Sequence, residues 1–227
     1  ALFRTENSIQ KTKNLFNQLN NSDLFNKIEW VSGNVNDVPS LEKAFENVEY
    51  VYHCAALISF DGVEEDNLRK INIEGTANMV NFALAFGVKK FCYVSSIAAL
   101  GDLKESETVI TEETEWNPEK PHSDYALSKF GAEMEIWRGQ QEGLNVIIVN
   151  PGVIIGPGFP KQGSGQLIQK IADGLPFYTS GNSGFVSVDD VVRIMYQLMQ
   201  SSICNERYIL IAENIGFKAL FNTIADS

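Results

Sequence analysis

The 227-residue sequence predicts an α/β fold with a doubly wound parallel sheet. Three observations carry that expectation. Short, near-continuous apolar runs rich in Val, Ile and Tyr recur along the chain, as strands buried on both faces do. Amphipathic segments separate the runs. The alternation repeats four times, which is the pattern of parallel strands joined by crossover helices.

The chain starts with Ala1-Leu2-Phe3-Arg4, which reads as the end of a strand and lacks an initiator Met. Strands are expected at 28–33, 50–56, 90–96 and 145–155. Helices are expected between them at 40–47, 64–86 and 123–142. Asp37, Pro39 and Ser40 supply start signals for the first helix, and Gly87 a stop for the second. After Pro151 the texture changes. Gly156-Pro157-Gly158, Pro160, Gly163 and Gly165 crowd one stretch, which reads as loop. A helix near 166–174, a short strand near 185–188, a helix at 189–200 and a last strand at 208–212 follow. The closing segment, 217–227, reads as a helix that stops in mid-pattern, so both ends are expected to be cut from a longer protein. The chain is expected to divide into a main unit, 1–155, and a small lobe, 156–227, packed on the same core.

Net charge is −11, and no run of five basic residues occurs. That balance argues against a nucleic-acid partner, which needs a concentrated Lys/Arg surface. No stretch approaches the roughly 18 apolar residues of a membrane span, so no membrane association is expected. Cys54, Cys92 and Cys204 sit far apart in apolar runs. Their spacing gives neither a disulfide framework nor a metal site, and they read as small core hydrophobes. This usage suits a reducing, cytoplasmic compartment.

Tyr125-Ala-Leu-Ser-Lys129 opens the helix that follows a long acidic loop. Four residues of separation put the phenol and the ammonium on one helical face. A neighbouring ammonium stabilises phenolate and lowers the Tyr pKa, which suits Tyr125 to general acid or base work. Alone, such a pair is commonplace. Its context is a buried strand, Phe91-Cys-Tyr-Val-Ser-Ser96, ending in two hydroxyls where ligands of open α/β sheets sit. Alternation along a strand selects one hydroxyl of the two without saying which.

Val-Ser-Ser-x-Ala followed by Tyr-x-x-x-Lys resembles the short-chain dehydrogenase/reductase superfamily, in its extended, NAD-dependent epimerase/dehydratase branch with a Rossmann-type sheet. His53-Cys54-Ala55-Ala56, Asn72-Ile-Glu-Gly-Thr76-Ala-Asn78, Asn150-Pro151-Gly152-Val153, Gly156-Pro157-Gly158 and the stretch 185–192 extend the resemblance over nearly the whole chain. The resemblance implies that Tyr125 moves the proton, Lys129 binds the nicotinamide ribose and Ser96 orients the carbonyl oxygen. It implies that Asn72 supports its helix and a proton relay; a plain helix-interior polar residue is an equal reading of Asn72. Ala55 and Ala56 would pass the cofactor with their backbone, and Pro151, Gly152 and Val153 would lie beside the nicotinamide. Homodimers built on the helices at 64–86 and 123–142 are common in the family.

Two departures stand out. The family's glycine-rich pyrophosphate loop is absent, as though the chain began after the first strand–helix unit; Gly163-Ser-Gly165 lacks the context to replace it. Gly33-Asn34-Val35-Asn36-Asp37 carries Asn34 where the family has the Asp that commonly contacts adenine. Arg4 stands at the end of the second family strand, where NAD enzymes place an acid. An arginine fork suits a 2′-phosphate, so NADP is expected in preference to NAD, with Lys11 or Lys13 assisting. The implied ligand is a hydrophobic small-molecule ketone or aldehyde, as for dihydroflavonol-reductase-like and 3β-hydroxysteroid-dehydrogenase-like members. A nucleotide-sugar epimerase or dehydratase with tightly bound NAD, and a non-catalytic dinucleotide sensor, stay open as alternatives.

Overall fold

Strand and helix alternate from the first residues of the structure, a computed structural model describing residues 1–159, 163–174 and 180–225. Strand β1 (Leu2–Phe3) leads through α1 (Glu6–Gln18) and α2 (Ser22–Phe25) to β2 (Val31–Ser32). Helix α3 (Val38–Ala44), with Pro39 in its first turn, precedes β3 (Tyr50–His53). Helix α4 (Glu65–Leu68) runs through a π-helical stretch, Arg69–Glu74, into α5 (Gly75–Ala85). Then come β4 (Lys90–Val94), α6 (Asp124–Gln141), β5 (Val146–Pro151) and β6 (Val153–Ile155). The remainder is α7 (Ser164–Ala172), β7 (Asn182–Ser187), α8 (Val188–Gln200), β8 (Glu206–Leu210), β9 (Glu213–Gly216) and α9 (Phe217–Ala225).

The central sheet is wholly parallel, in the order β3-β4-β5-β8. Alternation along β4 and β5 feeds two cores. Phe91, Tyr93, Val146 and Ile148 face Leu41, Val80, Ala132 and Ile136 from the helices on one side. Cys92, Ile147 and Val149 meet Val191, Met195 and Met199 of α8 on the other. Helices therefore cover both faces, as a buried parallel sheet requires. This is the Rossmann-type arrangement that the sequence predicts.

Several elements differ from expectation. The run 145–155 is two strands in two sheets, because the chain turns out of the central sheet at Gly152. A side chain there would place its Cβ 2.2 Å from the Gly184 carbonyl oxygen, so only glycine lets the two backbones approach. Strand β6 then pairs with β7, and β7 with β9, which the sequence reading missed, in a small mixed sheet. The segment 156–227 is consequently split: α8 and β8 return to the central sheet, while α7, β7, β9 and α9 build the outer lobe. The proposed strand at 28–33 shrinks to two residues, and that at 50–56 ends at His53. Helix α1 went unpredicted: its apolar side chains are only Ile9, Leu15 and Phe16, none fully buried. Pro160 and the last two residues of the predicted closing helix lie outside the described residues.

The parallel pair β1-β2 stands apart from the central sheet. A cleft of about 510 Å³ separates the two, lined by Leu2, Phe3, Gly33–Val35 and residues 52–57.

Candidate active site

The carboxyl ends of β3 and β4 and the first turn of α6 converge on one point. Ser123 starts α6 by accepting the Ala126 N–H at 3.2 Å, which sets Tyr125 in the first helical turn. Ser96 follows β4 and caps the one-turn 3₁₀ helix at Ile97–Ala99, its hydroxyl accepting the Ala98 N–H at 3.1 Å. Tyr125 is buried, and loss of solvent raises its pKa; the nearby Ser96 hydroxyl pulls the other way. Its ring meets Phe60 edge-on at 5.5 Å, and Phe60 is itself 80% exposed.

Lys129 lies one turn further along α6, almost wholly buried. Its ammonium donates to the Tyr93 hydroxyl at 2.7 Å and to the Val94 carbonyl at 2.9 Å. Burial lowers its pKa to about 8, against the opposing pull of Glu133 and Cys54. The expected coupling, in which Lys129 lowers the Tyr125 pKa, is therefore not the one observed. The ammonium turns to Tyr93, and burial governs Tyr125.

Asn72 sits in the π-helical stretch, a helix irregularity common at functional sites. Its side-chain nitrogen donates to the Leu57 carbonyl and to the Ser128 hydroxyl, both at 2.9 Å, and its oxygen accepts the Leu57 N–H at 2.7 Å. Ser128 donates in turn to the Tyr125 carbonyl at 2.8 Å. Asn72 thus ties the segment after β3 to the turn that carries Tyr125. His53 meets Thr76 at 2.9 Å in the same core, and burial beside Lys129 drops its pKa to about 3.

Asn150 closes the site from β5, donating to the Ser96 carbonyl at 2.9 Å and to Glu133 at 2.5 Å. Glu133 is fully buried and paired with Arg207 at 3.2 Å; Arg207 also donates to the Glu112 carbonyl. Phe60, Tyr93, Glu133 and Arg207 were missed by the sequence reading. Glu133 alone had a signal, since it stands four residues past Lys129 on the same helical face. The neighbouring Ser95 is buried, its hydroxyl without a partner among the described residues.

The residues expected to hold a cofactor fall in two groups. Arg4, Asn34, Val35, Ala55 and Ala56 line the cleft. Tyr125, Lys129, Pro151, Gly152 and Val153 do not line it and lie beyond, near the ends of β4 and β5. Asn34 accepts the Asn36 N–H at 3.1 Å, which shapes the turn after β2. Lys11 and Lys13 belong to α1 and do not line the cleft. Cys92 is buried as expected; Cys54 is exposed at the cleft wall and Cys204 half-buried. No metal cluster occurs among the described residues, and no helix among them is long and apolar enough to cross a membrane.

A parallel sheet with Ser, Tyr and Lys gathered at its carboxyl end defines the extended short-chain dehydrogenase/reductase class. Within it, the chain belongs to the NAD dependent epimerase/dehydratase family, whose profile matches residues 6–211. It is 31% identical over 189 residues to sterol demethylase protein B of Methylococcus capsulatus, covering 82% of this chain and 57% of that protein. A putative dihydroflavonol 4-reductase of Synechocystis is 30% identical over 200 residues, covering 85% and 57%. The crystal structure of gox2253 superposes with a TM-score of 0.80 at 34% identity, covering 87% of this chain and 61% of that one. The chain thus spans a little over half the length of the curated relatives it matches.

The cleft suits the adenosine part of the dinucleotide that this family implies. Leu2, Phe3, Ile71 and Met79 offer apolar walls for a base, the backbone of 33–35 and 54–57 is open to it, and Arg4 is exposed with no ion pair among the described residues.

Proposed function

We propose that this chain is the dinucleotide-binding and catalytic part of an NADP-preferring reductase that reduces a ketone or aldehyde on a hydrophobic small molecule. The observation that carries the reading is the junction of Tyr125 and Ser96 beside an exposed apolar loop. Ile58, Phe60 and Val63 are 61%, 80% and 86% exposed, and Phe60 touches Tyr125. A carbonyl held there would meet two hydroxyls on its oxygen side and apolar carbon around it. The buried Asn150–Glu133–Arg207 network keeps charge away from that surface by pairing it internally.

When bound, the nicotinamide supplies the hydride. The chain does the rest. Ser96 orients the carbonyl oxygen, and Tyr125, whose raised pKa keeps it protonated near neutrality, gives its proton to that oxygen. Lys129 holds the ribose hydroxyls and supports the proton's replacement. Arg4 would take the 2′-phosphate. The name of the second relative, a putative dihydroflavonol 4-reductase, supports carbonyl reduction.

The test is hydride turnover across a panel of aromatic and alicyclic ketones with NADPH and NADH, using the full-length protein. Tyr125→Phe is expected to lower kcat at least about a thousandfold, roughly 4 kcal/mol, with the fold intact. Unchanged activity in that variant removes the mechanism. Tightly held NAD with sugar-nucleotide epimerisation and no net reduction would replace the proposal with an epimerase.

A further inference from the structure

We propose that Tyr93 is a positioning residue: its phenol oxygen, with the Val94 carbonyl, forms a fixed seat that holds the Lys129 ammonium one helical turn from Tyr125. The inference rests on the proposed role of Lys129 and adds the group that places it.

A buried ammonium carries three donors and no acceptor, so each lost partner is costly. Lys129 places two donors at 2.7 and 2.9 Å on consecutive residues of β4. The same strand leads directly into Ser95 and Ser96, so the seat fixes Lys129 to the segment that carries the proposed carbonyl-orienting hydroxyl. Tyr93 cannot drift. It is 1% exposed, and its ring packs 5.4 Å from that of His53, which is itself held by Thr76 of α5 at 2.9 Å. Packing alone would be satisfied by phenylalanine, because the ring belongs to the apolar cluster of Val80, Ile136 and Ile148, and the Lys129 ammonium 4.4 Å from its centroid would keep a ring face. The oxygen is what the hydrocarbon core does not ask for.

The charge on Lys129 is delicately placed. Burial lowers its pKa to about 8, with Glu133 and Cys54 opposing. The groups facing it from each neighbouring element are few. Helix α6 brings Glu133 and Tyr125; β3 and the residues after it bring Cys54 and His53, the latter uncharged above its pKa of about 3. Strand β4 brings Tyr93, whose own pKa is raised well above the usual value, and α5 with the π-helical stretch brings only the neutral Thr76 and Asn72. An acceptor removed from this set therefore tips Lys129 toward its neutral form at physiological pH.

Tyr93→Phe keeps the ring and removes the oxygen. Lys129 would be followed by NMR of protein labelled with ¹³C and ¹⁵N lysine, free of cofactor and substrate, its signal identified by its loss in Lys129→Arg. The variant is expected to move the titration midpoint down by about one pH unit, the effect of one lost hydrogen bond. NADPH affinity should weaken several-fold. At pH 7 kcat should fall about tenfold with KM for the carbonyl substrate held. A purely structural role for the hydroxyl would lower the melting temperature and leave the midpoint and NADPH affinity unmoved; that result, or an upward shift, overturns the proposal. Because the titration needs no turnover, it reads the seat even if the wild-type protein reduces no carbonyl, an outcome that would remove the proposed function alone.

Discussion

The two ends of the candidate site are built by opposite means. At the reacting end, Asn72, Ser128 and Lys129 are all nearly sealed from solvent, and each is held by partners from at least one other element or turn. At the outer end, the cleft wall rests on two-residue strands, β1 and β2, and its cation, Arg4, is exposed. Proton transfer tolerates little misplacement, so the reacting groups are held before any ligand arrives. Recognition of an adenosine, as proposed for the cleft, tolerates more, and the residues that line it sit largely on turns. Perturbing the first region should therefore cost stability and chemistry together, whereas perturbing the second should change cofactor choice alone.

The largest stability effect expected is a pH effect at His53. Its folded pKa of about 3 lies below the ordinary value of 6.5, because burial disfavours the charged ring. Below pH 6.5 the unfolded chain takes up a proton that the folded chain refuses. Stability is thus fully present above that value and is lost as pH falls toward 3, by about 3 kcal/mol at pH 4. His53→Gln, which can still bond Thr76, should flatten this part of the profile. Urea melts at pH 7 and pH 4 would show it; parallel losses in both proteins would mean that His53 is not the source.

Asn72 offers the sharper comparison. Asn72→Ala strands the Leu57 backbone groups and the Ser128 hydroxyl, and should cost about 2 kcal/mol. Asn34→Ala, at the outer end, removes one acceptor from a half-buried turn and should cost less than about 1 kcal/mol. Denaturant unfolding of the pair checks the ranking. Equal costs would erase the contrast between a knitted end and an open one. The Asn72 variant should also lose activity, since Leu57 and Tyr125 are linked through it.

Much of this was legible in the sequence where a residue's chemistry and its spacing coincide. The parallel sheet and the placing of Tyr125 and Lys129 on one face of α6 follow from periodicity, and the two hydroxyls after β4 from the strand end; the choice of Ser96 over Ser95 came from the family resemblance. Asn72 was legible as a motif residue, but its clamp on Leu57 was not, because that contact spans 15 residues and depends on the π-helical turn. Tyr93 looked like any aromatic in a strand. Only the fold shows that its oxygen meets Lys129, 36 residues away. The break at Gly152 was half legible, because Asn150-Pro151-Gly152 interrupts the apolar run, but only the approach of Gly184 marks the change of sheet. Helix α1 was missed because its apolar face is only Ile9, Leu15 and Phe16, each half-buried, among polar residues.

The smallest effect expected is at Arg4, and it tests the outer end most directly. Arg4 follows β1 and lines the cleft, and it forms no ion pair among the described residues. A planar fork in that position recognises a 2′-phosphate better than a ribose hydroxyl. Arg4→Ser should raise KM for NADPH about tenfold, near 1.4 kcal/mol, and leave KM for NADH unchanged. The reacting end should not register the change, so kcat at saturating cofactor should hold within about twofold, within the usual reach of a surface substitution. A fall in kcat with both cofactors would mean that the outer wall shapes the reacting groups after all. An unchanged NADPH preference would shift recognition of the 2′-phosphate to another group of this wall.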